Sequence, residues 1–233
     1  MNLPKHTVQN VIAQLNSKYA THPPRILILY GSLRPESYSR KVADLAEKIL
    51  TEFGAEVKRY HPHDLPVFDR QSFDHPEVLK IRELSNWSEA HVWISPEQHG
   101  AMTACFKNQI DWLPLSDGAV RPTQGRCVAL MQVNGGSQSF NVVNQLRILG
   151  RWMRMLVIPN QSSIPQTWRE FYDDGNMRDS NYKQRVIDVL EELFKFTIMT
   201  RDHSVYLTTR FSEQEELRKQ GELSKGLGVT DTK

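Results

Sequence analysis

The amino-acid sequence predicts an α/β fold built on a doubly wound, five-stranded parallel sheet. Five short apolar runs lie along the chain, segments with helical periodicity separate them, and the central runs are apolar at nearly every position. Strands that alternate with crossover helices run parallel and are covered by helices on both faces. The 233 residues, of which 39% are hydrophobic and 24% charged, suffice for one large domain with a substantial core.

The predicted strands are rich in apolar and β-branched residues. Strands covered by helices on both faces read as nearly continuous apolar runs, and ILILY and VALMQV have this character. In chain order the five strands are RILILY (25–30), AEVKRY (55–60), HVWIS (91–95), CVALMQV (127–133) and MLVIP (155–159).

The predicted helices show apolar side chains at i, i+3, i+4, i+7 and i+8. This spacing is clearest in 40–50, and it recurs in 102–113, 142–153 and 186–194. A weaker helical pattern covers 75–87. The capping-box sequence SEQE at 212–215 predicts a short additional helix near the end of the chain.

The order of these elements is β-α, repeated five times. That content fits a flavodoxin-like domain over residues 25–200, and half of a dinucleotide-binding Rossmann domain is the alternative. Residues 1–24 and 201–233 then form N- and C-terminal extensions, which we expect to contact a neighbouring subunit.

Charge and cysteine content exclude several classes of function. A net charge of +2 gives no general attraction to nucleic acid or to anionic membranes. The two cysteines, Cys105 and Cys127, lie far apart and form no metal-binding motif. We expect no metal, no signal peptide, no membrane span and a cytoplasmic location.

The loop GSLRPESYS (31–39) follows the first strand and is the main candidate for ligand binding. Ligands of open α/β sheets bind at the carboxyl ends of strands, near the switch point. The loop lacks the GxGxxG and GxxxxGK[ST] patterns, but it offers three serine hydroxyls, one arginine and a helix N-terminus. These groups predict a phosphate that is held without magnesium or hydrolysis; the alternative is that the serines only cap the helix.

Two further loops follow the third and fourth strands. SPEQHGAMT (95–103) contains Gly100, and VNGGSQSFN (133–141) contains Gly135 and Gly136, which leave the backbone open to a flat ligand. Beside a phosphate loop, they predict a slot for a planar ring joined to a phosphate, although turn formation would explain either loop alone.

Four motifs in this order, GSLRPESYSR, SPEQHGAMT, KNQIDW and NGGSQSFN, resemble the NADPH-dependent FMN reductase family. The segments 136–163 and TRDHSVYLTTR (200–210) resemble more narrowly the arsenical-resistance flavoproteins of that family. The resemblance implies FMN as cofactor, NADPH as reductant and a homotetramer. It also implies a second substrate, either an electron acceptor such as oxygen, a quinone or an azo compound, or a trivalent organoarsenical that is oxidised.

The resemblance also assigns the binding residues. It gives the phosphate to Ser32, Arg34, Ser37 and Ser39, and places Pro96, Glu97, Gln98, His99 and Gly100 along one side of the flavin ring, with Asn134, Gly135, Gly136 and Ser137 along the other. Asn134 and Gln98 depart from the family pattern. Because FMN carries the chemistry, no catalytic side chain is required. His99 is a candidate proton donor, and the alternative is that it only holds the loop.

The roles of four further groups of residues can be predicted from the sequence. The segment 61–75 contains three histidines and three aspartates. We expect it to line the side of the flavin at which the electron acceptor binds, with Asp69 near the cofactor, rather than to bind a metal. Arg121 and Arg126 are candidates for the 2′-phosphate of NADPH. Both cysteines are expected to pack in the core. Arg147, Arg151 and Arg154 are expected to form a solvated or intersubunit face.

Two other functions remain open from the sequence. A flavodoxin-type FMN electron carrier would have the same fold, but carriers of that kind are usually strongly acidic. A phosphate-sensing module would use the first loop without any turnover.

Overall fold

A computed structural model of the chain describes residues 22–117 and 120–226. Its sheet contains the strands β1 (Arg25–Tyr30), β2 (Glu56–Arg59), β3 (Ala90–Gln98), β4 (Ala101–Met102), β5 (Cys127–Val133) and β6 (Leu156–Ile164). The helices are α1 (Tyr38–Glu52), α2 (Pro76–Trp87), α3 (Ala104–Asp111), α4 (Asn141–Trp152), α5 (Asn181–Thr200), α6 (Ser204–Thr208) and α7 (Phe211–Gly226).

The five main strands pair in the order β2-β1-β3-β5-β6, and every pairing in that path is parallel. From β1 the chain first adds β2 on one side of the sheet, and it then adds β3, β5 and β6 in turn on the other side. This order confirms the flavodoxin-like prediction. This winding places the loops after β1, β3, β5 and β6 at one edge of the sheet.

The core consists of two apolar layers, one on each face of the sheet. In β1, Ile26 and Ile28 face the layer formed with α1 and α5, whereas Leu27 and Leu29 face the layer formed with α2, α3 and α4. Alternate side chains of a strand point to opposite faces, so a strand buried on both sides has to be apolar throughout. Each helix packs the apolar side chains of one face into one of these two layers, which explains the helical spacing of apolar residues in the sequence.

The last strand is longer than the sequence predicted. MLVIP was expected to end at Pro159, but β6 continues to Ile164, and its register against β5 shifts between Val128 and Leu130. A proline cannot donate a ladder hydrogen bond, but an edge strand with a bulge tolerates it. The longer strand brings the chain after Ile164 to the same edge as the other loops.

Smaller differences concern the ends of elements. β3 extends through Gln98 and pairs antiparallel with the short β4, so part of the predicted loop 95–103 is a β-hairpin. The predicted tail helix exists as α7, but it begins at Phe211, which places Ser212 inside the first turn rather than at the cap.

In the described part of the chain, no helix combines the length and apolar content needed to cross a bilayer. The domain limits remain a prediction, and the extension 1–24 lies almost wholly outside the described residues.

We predict that Gly31→Ala destabilises the apo-protein by about 2 kcal/mol, because overpacking a tight contact forces neighbouring groups apart. A Cβ at Gly31 would lie 2.6 Å from Thr103 Oγ1 and 2.7 Å from Phe106 Cβ. Gly135→Ala is the control, since its added Cβ would have no neighbour within 4 Å. Urea unfolding of both variants measures the difference; equal midpoints would contradict the prediction.

Candidate functional site

The first loop places serine hydroxyls at the N-terminus of α1. Ser37 is the N-cap of this helix, and its Oγ accepts a hydrogen bond from Arg40 N at 3.2 Å. Ser39 is buried in the first turn, and its Oγ lies 3.4 Å from Ser37 Oγ. Ser32 Oγ accepts a hydrogen bond from Arg34 N at 3.2 Å. Capping therefore accounts for Ser37 but not for the other two serines.

The second loop is a tight hairpin attached to α4. His99 and Gly100 both have left-handed backbone conformations, with φ of 51° and 74°. Gln145 holds the hairpin with both ends of its amide: Oε1 accepts from Met102 N at 3.1 Å, and Nε2 donates to Gly100 O at 3.1 Å. The His99 side chain forms no hydrogen bond in the described residues, so the structure gives it no role in tethering the loop.

The third loop, which follows β5, is held by backbone and side-chain contacts of Asn134. Asn134 N donates to Ile164 O at 3.1 Å, and Asn134 Nδ2 donates to Ser137 O at 2.6 Å. The buried Asn134 Oδ1 has no hydrogen-bond partner in the described residues. Glu97 joins this loop to the hairpin, because its carboxylate accepts from Gln132 Nε2 at 3.0 Å and from Asn141 Nδ2 at 3.3 Å.

The three loops surround two adjoining cavities. The first, of about 340 Å³, lies between the phosphate loop and the other two loops, and the second, of about 430 Å³, lies over the hairpin and the loop after β5. Glu97, Asn134 and Gly135 line both. The structure brings together every predicted cofactor-binding residue: Ser32, Arg34, Ser37, Ser39, Pro96, Glu97 and Gln98 line the first cavity, and His99, Gly100, Gly136 and Ser137 the second.

Sequence reasoning missed a fourth contribution to this site. Thr167 and Trp168, which follow β6, line the first cavity, as do Tyr38 and Thr103. The signal for Thr167 and Trp168 would have been the continuation of the last strand beyond Pro159, which puts its carboxyl end beside the other loops.

Arg121 and Arg126 lie at the opposite edge of the sheet. They line a separate cavity there, so within one chain they are remote from the candidate site. The guanidinium of Arg126 donates to the carbonyl oxygens of Ser88, Arg121 and Asn86 at 2.6, 2.7 and 3.0 Å, and burial lowers its pKa to about 10. Their assignment to the 2′-phosphate of NADPH is therefore wrong for a site formed by one chain.

The expected arginine face on α4 is present only in part, because Arg151 and Arg154 are exposed but Arg147 is partly buried. Arg147 is not directed into solvent, because its guanidinium donates to Gln161 Oε1 and to the carbonyl oxygens of Ile158 and Pro159. Arg154 lies beyond the end of α4, with a φ of 59°.

Asp69 does not line either cavity. Its carboxylate accepts hydrogen bonds from Gln71 N, Ser72 N and Ser72 Oγ, and these bonds lower its pKa to about 2. Asp69 therefore organises its own turn.

Comparison with known proteins identifies the class to which this fold and site belong. Residues 24–169 match the family model for NADPH-dependent FMN reductase. The chain therefore belongs to the NADPH-dependent FMN reductase family, a family of flavin-dependent enzymes, which confirms the resemblance seen in the sequence. FerB, a flavoenzyme NAD(P)H:(acceptor) oxidoreductase from Paracoccus denitrificans, shares the fold with a TM-score of 0.66 at 18% identity, over 76% of this chain and 98% of FerB.

Two relatives of more than half identical sequence narrow the family further. NADPH-dependent FMN reductase ArsH of Rhizobium meliloti (strain 1021) is 60% identical over 88% of this chain and 85% of its own length. NADPH-dependent FMN reductase ArsH of Shigella flexneri is 55% identical over 83% of this chain and 76% of its own length.

The residues at the site fit FMN. Three hydroxyls, one guanidinium and the N–H groups of α1 match the acceptors of a phosphate ester. The open space beside Gly135 and Gly136, where an added Cβ would meet no atom within 4 Å, admits a flat ring against the backbone. The unpartnered Asn134 Oδ1 is an acceptor that a ligand N–H or O–H can satisfy.

Cys127 is buried in the core, as expected, whereas Cys105 is only partly buried. We predict that both cysteines react slowly with iodoacetamide in the folded protein. Burial raises the pKa of the Cys105 thiol and of the Cys127 thiol to about 11. Because the thiolate is the reactive form, we expect about a hundredfold slower alkylation at pH 8 than in guanidinium chloride, and a rate that rises as the pH approaches 11. Mass spectrometry of native and unfolded protein measures both rates. Rapid native alkylation would contradict core packing and would favour a thiol site for arsenic.

Proposed function

We propose that the protein is an FMN-dependent oxidoreductase that takes electrons from NADPH and passes them to a second substrate. One observation carries this proposal: a phosphate-binding arrangement at the N-terminus of α1 adjoins a slot between two loops with open backbone. When bound, FMN supplies a ring that accepts a hydride from NADPH and delivers two electrons to the second substrate.

The phosphate of FMN would be bound by Ser32, Arg34, Ser37 and Ser39. Ser37 and Ser39 lie in or next to the first turn of α1, where the helix N–H groups add positive potential. Charge-assisted hydrogen bonds contribute roughly 1.5–3 kcal/mol each, so a few of them supply much of the ~8 kcal/mol that micromolar binding requires.

The flavin ring would lie between the hairpin and the loop after β5. Backbone N–H groups of 97–100 on one side and 135–137 on the other would stabilise negative charge on the ring, as an oxyanion hole does. We propose that His99 contributes to the site through its backbone, because its positive φ is needed for the hairpin turn. Asn134 would contribute its free Oδ1 to the cofactor.

The second substrate would reach the exposed side of the ring. Relatives with lower identity carry the names NADPH azoreductase (26% identical) and quinone reductase (35% identical over 89 residues), so quinones and azo compounds are suitable first acceptors. The likeness to ArsH adds trivalent organoarsenicals. An arsenical that is oxidised loses two electrons, so dioxygen would have to accept them.

We also propose a cytoplasmic homotetramer. Ile148 and Trp152 on α4 are each 63% exposed, and such apolar side chains on one helix favour a contact between subunits. Light scattering tests this, with an expected mass of about four times the 27.0 kDa chain.

Turnover of NADPH separates the oxidoreductase from its alternatives. The purified protein is incubated with FMN and NADPH, with and without a quinone, and in parallel with methylarsenite and dioxygen. A reductase oxidises NADPH in an acceptor-dependent manner. An electron carrier binds FMN but oxidises NADPH only with a partner protein, and a phosphate-sensing module does neither.

We predict that Arg34→Ala combined with Ser39→Ala weakens FMN binding by about a hundredfold, because two of the phosphate donors are lost. The fold should remain intact, since Arg34 is exposed and Ser39→Ala is a small change. FMN fluorescence titration measures the affinity, and circular dichroism the fold. Arg151→Ala combined with Ser212→Ala, both exposed and outside the site, is the matched control. Retention of wild-type FMN affinity would contradict the assigned phosphate site.

A further inference from the structure

Arg169 directly follows Trp168, a residue that lines the first cavity of the candidate site. It ends the short 3-10 turn Thr167–Arg169, and its guanidinium carbon lies 4.7 Å from the centre of the Trp168 ring. Within residues 22–117 and 120–226, the Arg169 side chain forms no ion pair and no hydrogen bond. Contact with an aromatic face positions a guanidinium while leaving its five N–H donors available.

The backbone of this turn is fixed relative to the site. Thr167 is buried, and its N and Oγ1 both donate to Asn134 O, at 3.0 and 2.9 Å. Gln166 N donates to Gly136 O at 3.0 Å. Since Asn134 and Gly136 line the cavities, these hydrogen bonds hold the turn in a defined position beside the site. Trp168, which is 53% exposed, forms part of the wall of the first cavity.

Two arginines near this edge of the sheet, Arg147 and Arg185, already have hydrogen-bond partners, and a third has a proposed role. The guanidinium of Arg147 is bonded to Gln161 and to two carbonyl oxygens, and Arg185 NH1 donates to Asn160 Oδ1 at 3.1 Å. Arg34 belongs to the phosphate loop. Arg169 is thus next in the chain to a residue of the cavity wall, and its donors are uncommitted among the described residues.

We propose that Arg169, positioned by Trp168, binds the 2′-phosphate of NADPH and so selects NADPH over NADH. The two nucleotides differ only in this phosphate, and an arginine binds phosphate through two parallel charge-assisted hydrogen bonds. The inference rests on the proposed function, which makes NADPH the reductant. Because Arg169 is exposed, solvent screens the contact, and we expect about a tenfold effect rather than a larger one.

The test compares kcat/KM for NADPH and for NADH, with a quinone as acceptor, in Arg169→Gln, Arg169→Lys and wild-type holoenzyme. Arg169→Gln should lower the value for NADPH about tenfold and leave the value for NADH within twofold, whereas Arg169→Lys, which keeps the charge but loses the planar guanidinium, should retain only part of the preference. Calorimetric titration of the oxidised holoenzyme with NADP⁺ and NAD⁺ should show the same change in affinity without turnover.

Arg178→Gln is the matched control. The Arg178 guanidinium carbon lies 4.1 Å from the centre of the exposed Tyr172 ring, so the pair repeats the arrangement of Arg169 and Trp168 on the same segment. Tyr172 lines a different cavity, beside α1, and we expect no change in nucleotide preference. For Trp168, replacement by Ala should lower the NADPH preference and replacement by Phe should restore most of it.

Each outcome decides the inference. An unchanged NADPH preference in Arg169→Gln, or an equal loss for both nucleotides, would overturn it while the proposed function stands. Loss of FMN from Arg169→Gln would place the side chain at the cofactor and would also overturn it. Failure of wild-type protein to bind FMN or to oxidise NADPH would overturn the proposed function itself.

Discussion

The close contact between Gly31 and the start of α3 is the constraint on which the arrangement of the site depends. Gly31 follows β1 directly, and its N–H donates to Ile94 O at 2.9 Å, while Thr103 Oγ1 donates to Gly31 O at 2.8 Å. Thr103 is also the N-cap of α3. Because Gly31 has no side chain, the first loop and the hairpin after β3 approach at backbone distance. A larger residue would separate the phosphate donors from the slot.

From this contact, hydrogen bonds connect one loop to the next across the edge of the sheet. Gln145 holds the hairpin to α4, Glu97 joins the hairpin to the loop after β5, and Thr167 joins that loop to the turn after β6. Each connection uses a side chain of one element and the backbone or an amide of another. The loops are therefore joined to one another by protein hydrogen bonds alone, and such preorganisation lowers the entropic cost of binding.

A connected set of loops suits a protein whose chemistry resides in its cofactor. In the proposed function, the side chains near the cavities would bind and orient the cofactor, and FMN would carry the electrons. Beside the first cavity the chain presents two exposed groups, Trp168 and the adjacent Arg169.

The sequence by itself determined the α/β class, the approximate strand positions and three of the loops at the site. Local patterns suffice for these features, because a doubly covered strand has to be apolar and a phosphate loop has to contain donors. Tertiary structure alone decided the length of β6, since its bulge at Pro159 is stabilised by pairing with β5. It also placed Arg121 and Arg126 in a separate cavity at the edge opposite to the candidate site. Arg121, Arg126 and Arg169 look alike in the sequence, and only the direction of the strands before and after them separates the two edges of the sheet.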